Sequence, residues 1–416
     1  MEGPSSRAYG VVHGQAAVGS AMHHDLRDDA LALRADLVAW RRHLHMHPEL
    51  AYAEVATAAF VRERLTALGL EPSDPMAGGT GLTCLVRGRE DGPTIALRAD
   101  MDALPILEDS DAPYLSKHPG VGHLCGHDGH TAMLLGAAAL LAKRPPARGN
   151  VKLLFQPAEE AGAGAARMIE DGALEGPSVE AIYALHVDPR VPTGRSGVVV
   201  GPANAAADTI EIAVIGAGGH AAYPHLSVDA VTVAAQVVTA LQHVVSRQAD
   251  PLLPLVLTIG TIHGGFASNV IAPSVTMQGT VRSFDPELRR RVPELIERTV
   301  QGVAAAHGAT ATVSYAFGYP ATVNDPALLP IFEAASAAVM GEGRNAIMAP
   351  TMGAEDFSYY AQLVPGMIGR LGVRNDALGF VHPLHHPRFD LDEDALPLGA
   401  ALLADVATRW LGEREA

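Results

Sequence analysis

Apolar residues recur every three or four positions from about Asp28 to His45, at Leu33, Leu37, Trp40 and Leu44. That spacing predicts one amphipathic helix, closed by Pro48. A second helix carries Val61, Leu65 and Leu68 on one face and stops at Gly69. The pattern then alternates. Thr94–Leu97, Val151–Phe155 and Ala181–Leu185 are short apolar runs that predict strands, and Thr131–Ala142 and Ala165–Asp171 predict helices between them. Strands separated by helices imply an α/β sheet with helices on both faces.

From about Asp208 the texture changes. Strands are expected at 209–214, 256–259, 275–282 and 311–317, with helices at 228–248 and 286–307. This βαββαβ order is ferredoxin-like. Helices at 327–340 and 393–411 return to the first texture. The economical reading is a large α/β domain over residues 26–206 and 318–416, with a smaller α+β domain inserted at 207–317. Residues 1–25 lack the basic start and apolar run of a signal peptide and are expected to form a flexible extension.

Composition narrows the function. A formal net charge of −16, with Lys and Arg scattered along 416 residues, argues against a nucleic-acid surface. No apolar run reaches the ~18 residues of a membrane span. Two cysteines, Cys84 and Cys125, are too few for a disulfide framework, so a reducing, cytoplasmic setting is expected.

Candidate chemistry gathers where predicted strands end. Asp100 and Asp102 follow the first, Glu159 and Glu160 the second, and His186 the third. In open α/β sheets ligands sit at such ends. The segment His123-Leu-Cys125-Gly-His127-Asp128-Gly-His130 holds thiolate, imidazole and carboxylate donors within eight residues. Cys125 and His127, two apart, face one point if the backbone is extended, and Gly126 and Gly129 let the loop bend. The same segment also fits a polar loop capping the next helix. Adjacent glutamates are commonly a solvated turn; here one carboxylate is also placed to hold a metal while the other faces a substrate. His186 alone fits a satisfied core histidine, and His385 in Leu384-His-His-Pro387 a loop imidazole.

Nine segments in unbroken order, among them LRADMDALPI (97–106), CGHDGHT (125–131), QPAEE (156–160), ALHV (184–187), GGHAAYPH (218–225), SNVIAP (268–273), MGAEDF (352–357) and LHHPRFD (384–390), resemble the metal-dependent amidohydrolases. These include hippurate hydrolases, N-acyl-amino-acid hydrolases and auxin-conjugate hydrolases, within the aminoacylase and di-zinc carboxypeptidase group. The resemblance implies metal ligands at Cys125, His127, Glu160, His186 and His385, and a catalytic base at Glu159. It implies a lid histidine at His220, substrate-carboxylate contacts at Asn269 and Arg282, and supporting roles for Asp100, Asp102 and Glu355. Two divalent ions are implied, zinc or manganese first, with nickel or cobalt as alternatives. The implied substrate is a small N-acyl amino acid, and the implied assembly a homodimer through the inserted domain. The alternative is a di-metal carboxypeptidase or dipeptidase.

Overall fold

The computed structural model describes residues 19–414. Most of the extension expected over residues 1–25 lies outside them, but from Gly19 the backbone is helical. The helices are α1 (Gly19–Ala32), α2 (Arg34–Met46), α3 (Val55–Ala67), α4 (His127–Lys143), α5 (Gly164–Glu170), α6 (Ala230–His243), α7 (Pro286–Ala306), α8 (Leu329–Met340), α9 (Ser358–Ala361) and α10 (Ala395–Glu413). The single helix expected over 28–45 is therefore two, parted at Leu33 (φ −83°, ψ 0°). A one-residue break keeps the apolar positions in step, so periodicity does not register it.

The strands are β1 (Leu82–Arg87), β2 (Glu90–Asp100), β3 (Arg148–Gln156), β4 (Ala181–Pro192), β5 (Ser196–Val198), β6 (Gly201–Asn204), β7 (Ala206–Ile215), β8 (Gly219–His220), β9 (Leu255–Gly264), β10 (Val270–Ile271), β11 (Ser274–Ser283), β12 (Thr310–Ala316), β13 (Thr322–Asn324), β14 (Asn345–Ile347) and β15 (Gly366–Arg374). The large sheet has the order β1-β3-β2-β4-β15-β5-β14. Its centre, β3-β2-β4-β15, is parallel. β1 and β5 join antiparallel to β3 and β15.

Alternation along these central strands decides what each face carries. Ile95, Leu97, Val151, Leu153, Tyr183, Leu185, Met367 and Leu371 pack into the main core with α4 and α10. The steps between them, Ala96, Leu154, Ile182, Ala184 and Ile368, pack against Met168, Phe357 and Tyr360 on the other face. Continuing that second face to the strand ends brings up Arg98, Asp100, Gln156, His186 and Arg370 in turn. The sheet thus carries its polar residues on one face and at one edge.

Residues 206–316 build a second sheet, β12-β7-β11-β9, in which every neighbouring pair is antiparallel. This is the expected ferredoxin-like arrangement. α6 and α7 cover one face through Val233, Val237, Leu241, Val292, Ile296 and Val300, which form a core of their own with Ile210, Ile212 and Val281.

Candidate metal centre

The loop entering α4 turns at Gly126, whose φ is +89°. A Cβ there would meet Val187 Cγ2 at 2.4 Å, so the position admits only glycine. The turn puts Cys125 and His127 beside the middle of β4, with Cys125 Sγ 3.6 Å from His186 Nε2. Both histidines are oriented from behind. His127 Nδ1 donates to the Asp102 carbonyl at 2.9 Å, and His186 Nδ1 to the Val187 carbonyl at 2.8 Å. Each keeps its Nε2 lone pair for the centre, the arrangement a metal-binding imidazole needs.

Glu159 and Glu160 follow β3 and Pro157, and their backbone N–H groups donate to the two oxygens of Asp102 at 3.0 and 2.9 Å. Tyr319 donates from its hydroxyl to the Glu159 carbonyl at 2.8 Å. Between them these bonds fix a turn whose two carboxylates both approach His127 Nε2, Glu160 Oε1 lying 3.9 Å from it. Glu160 Oε1 lies 3.2 Å from His385 Nε2, and Glu159 Oε2 lies 4.0 Å from His127 Nε2. His385 is itself held at φ +65°.

Donor atoms within 4.8 Å of one another form overlapping triples: Cys125–His127–His186, Cys125–Glu160–His385 and His127–Glu159–Glu160. Cys125 belongs to the first two. His127 Nε2 is completely buried and has no hydrogen-bond partner among the described residues. An orphaned imidazole nitrogen beside a thiol and carboxylates is what a cation would satisfy, and the donor set fits a divalent ion. Burial, with Glu355, Glu160 and Asp356 nearby, pushes the Glu159 carboxyl well above the ordinary carboxylate range. Burial and Glu160 likewise push up the Cys125 thiol. Divalent cations remove that conflict by favouring the charged forms. Burial, His130 and Arg370 hold His186 well below the usual histidine value, hence neutral.

A cavity of about 520 Å³ opens over this cluster, with Cys125, Glu159, Glu160, His186, Glu355 and His385 on its wall. The match to the family model "Peptidase family M20/M25/M40" spans residues 96–409 and so takes in the whole cluster. The chain belongs to that family.

Similar curated proteins cover most of its length. An N-acetyl-L-cysteine deacetylase from Bacillus subtilis is 41% identical over 92% of this chain and 90% of the relative. Thermostable carboxypeptidase 2 from Saccharolobus solfataricus is 40% identical over 92% and 98%. An N-acyl-L-amino acid amidohydrolase from Geobacillus stearothermophilus is 47% identical over 70% and 79%. Among solved structures, the Bacillus subtilis YXEP protein, described as a dinuclear metal binding peptidase from the M20 family, superposes with a TM-score of 0.81. It is 36% identical and covers 92% of this chain and 99% of its own.

Other residues singled out by the M20 resemblance fall in two groups. Asp100 is buried, bonded through Oδ1 to His130 Nδ1 and through Oδ2 to Arg98 Nη1, each at 2.6 Å. Glu355 reaches Arg98 Nη2 at 3.1 Å from the cavity wall. His220, Asn269 and Arg282 stand apart. His220 and Asn269 are exposed and come together where β8 pairs with β10, His220 opposite Val270. Arg282 Nη1 donates to the Val281 carbonyl at 3.1 Å on the inserted sheet. None of the three lines the cavity.

Several residues were passed over by sequence reasoning. His130 Nε2 accepts from the Val187 backbone N–H at 2.9 Å, so its Nδ1 carries the proton and donates to Asp100. Glu54 Oε1 accepts from Ala158 N at 2.8 Å, bracing the turn that holds Glu159. Arg370 and Asn204 line the cavity. The signal for Arg98 and Arg370 was a charged residue at an inward step of an apolar strand.

Proposed function

We propose that this chain hydrolyses the amide bond of N-acyl amino acids, with Cys125, His127, Glu160, His186 and His385 holding two divalent cations and Glu159 as the base. The observation that carries the reading is the junction of two donor triples at Cys125, beside a buried second glutamate that neither triple uses. The deacetylase and amidohydrolase relatives support the N-acyl class. Bound there, two cations would polarise the scissile carbonyl and lower the pKa of an attacking water.

The chain's own residues do the rest. Glu159 takes the water's proton as the carbonyl is attacked and returns it to the departing amine nitrogen. Asp102 and Tyr319 hold the Glu159 turn in place, so that carboxylate need not be ordered at each cycle. Asp100, through His130, fixes the stretch of β4 that carries His186. His220 is to stabilise the developing oxyanion, and because it is absent from the cavity wall it must arrive by movement of the inserted segment or from a second copy. A homodimer through the inserted segment belongs to this proposal: β9 is an edge strand with its second half exposed, a ready pairing surface.

A thiolate with imidazoles favours zinc, with manganese the next reading. No helix among the described residues is long and apolar enough to cross a membrane. Cys84 and Cys125 are both free and buried, which supports a cytoplasmic setting.

The carboxypeptidase relative favours a second reading, cleavage of short peptides. A panel of N-benzoyl and N-acetyl amino acids against dipeptides, after loading with zinc, manganese, nickel or cobalt, separates the two. N-acyl amino acids should be turned over with the higher kcat/KM; faster dipeptide cleavage reverses the assignment. In the same assay Glu159→Gln should lower kcat on the order of 10²–10⁴-fold with metal content intact.

A further inference from the structure

Three arginines in the described residues are buried: Arg41, Arg98 and Arg370. Two of them follow the rule that a buried charge is paired. Arg41 meets Asp128, Asp390 and Glu393, and Arg98 meets Asp100, Glu355 and Asp356. Arg370 has no such partner. Its side-chain hydrogen bond among the described residues runs from Nη2 to Asn204 Oδ1, a neutral acceptor, at 2.9 Å. Burial pulls its pKa down, and Glu355 and Asp188 act on it only from beyond ion-pair distance. The remaining N–H groups are not sealed in, and the residue lines the same cavity as Cys125 and Glu159.

Its place in the sheet is informative. Arg370 on β15 is the direct register partner of His186 on β4, on the same face. Parallel neighbours lie about 4.8 Å apart. The backbones of Arg370 and His186 are therefore one strand spacing apart, and both side chains reach the wall of the same cavity. A planar fork of donors suits a carboxylate. Asn204 holds the fork and lines the wall beside it.

We propose that Arg370, oriented by Asn204, is the seat of the substrate's α-carboxylate and restricts the cleft to substrates with a free carboxylate. This rests on the amide-hydrolase reading above. It supplies from the large sheet the contact that Asn269 and Arg282, absent from the cavity wall, do not make in this arrangement.

The test compares N-benzoylglycine with its neutral primary amide, following benzoate release. In Arg370→Met, kcat/KM for the acid should fall about 10- to 100-fold through KM, the worth of a charge-assisted hydrogen bond, while the neutral amide changes less than about threefold. Arg370→Lys should recover part of the loss, and it carries the comparison if the methionine variant does not fold. Metal per chain should be unchanged in both. An equal loss for acid and amide, or loss of metal, overturns the proposal by making Arg370 a support for the metal cluster. Calorimetry in a metal-loaded Glu159→Gln background keeps this separate from the hydrolase reading. There the chain with Arg370 intact should bind N-benzoylglycine more tightly than its amide, and Arg370→Met should erase the difference. Absence of turnover with that preference present sinks the hydrolase reading alone; absence of the preference sinks the carboxylate seat.

Discussion

Beside the large sheet, Asp100 and His127 are fully buried and each is bonded on the side away from the cavity, whereas at the small β8-β10 ladder of the inserted segment His220 and Asn269 stand in solvent. Both regions hold residues that the sequence resemblance marked for the same chemistry. The first is a site whose geometry is set by packing before anything binds. The second offers groups whose use depends on motion or on another copy. Preorganised donors and delivered donors should fail differently when mutated, and that contrast can be broken or sharpened.

The largest effect should come from the buried network. Arg98→Met leaves Asp100, Glu355 and Asp356 without their shared counter-charge, and should cost roughly 3–5 kcal/mol in urea unfolding. A loss below about 1 kcal/mol would mean the cleft is not held by that pairing.

His220→Ala tests the other region. Its side chain is exposed, and among the described residues it accepts from the Ala222 backbone N–H, at 3.0 Å. Turnover should fall on the order of 10²–10³-fold while Tm and metal content stay put. Metal loss in this variant would erase the distinction between the two regions.

A smaller effect probes how the preorganised region is braced from α2. Burial and Arg41 push His45 down, but Asp128 and Glu108, bonded to its two nitrogens at 2.8 and 3.0 Å, outweigh them and raise it to about 9. A folded pKa above the ordinary 6.5 means the protonated ring stabilises the fold fully below about pH 6.5 and loses that contribution as pH rises towards 9. The stability of the parent chain relative to His45→Gln should therefore shrink across that window, by about 3 kcal/mol. A difference that is flat or grows with pH would contradict the assignment.

Much of this was legible along the chain. Asp100, Glu159, Glu160 and His186 could be found because each lies within five residues past an apolar run, and such runs lie side by side in a parallel sheet. The inserted sheet was legible for the same reason: its strands alternate and its helices carry regular apolar stripes. β15 was missed because Gly366, Gly369, Arg370 and Gly372 interrupt its apolar residues, and Arg370 went with it. Arg98 was visible, but its partners Glu355 and Asp356 lie more than 250 residues further on, and local pattern carries no information about such pairs. The break at Leu33 was invisible because the helices on either side keep one apolar face. That Asp102 holds the Glu159–Glu160 turn through two backbone bonds was also out of reach, since nothing in the local pattern pairs residues that far apart.

The central claim is that the joined donor triples hold two cations. Elemental analysis of the purified chain after dialysis against trace metal and removal of excess tests it most directly. The account predicts two divalent ions per chain, still two in Glu159→Gln, and fewer than one in Cys125→Ala, because Cys125 is common to both triples. A Cys125→Ala chain that keeps both ions, or a parent chain that hydrolyses N-acyl amino acids with none, would contradict it.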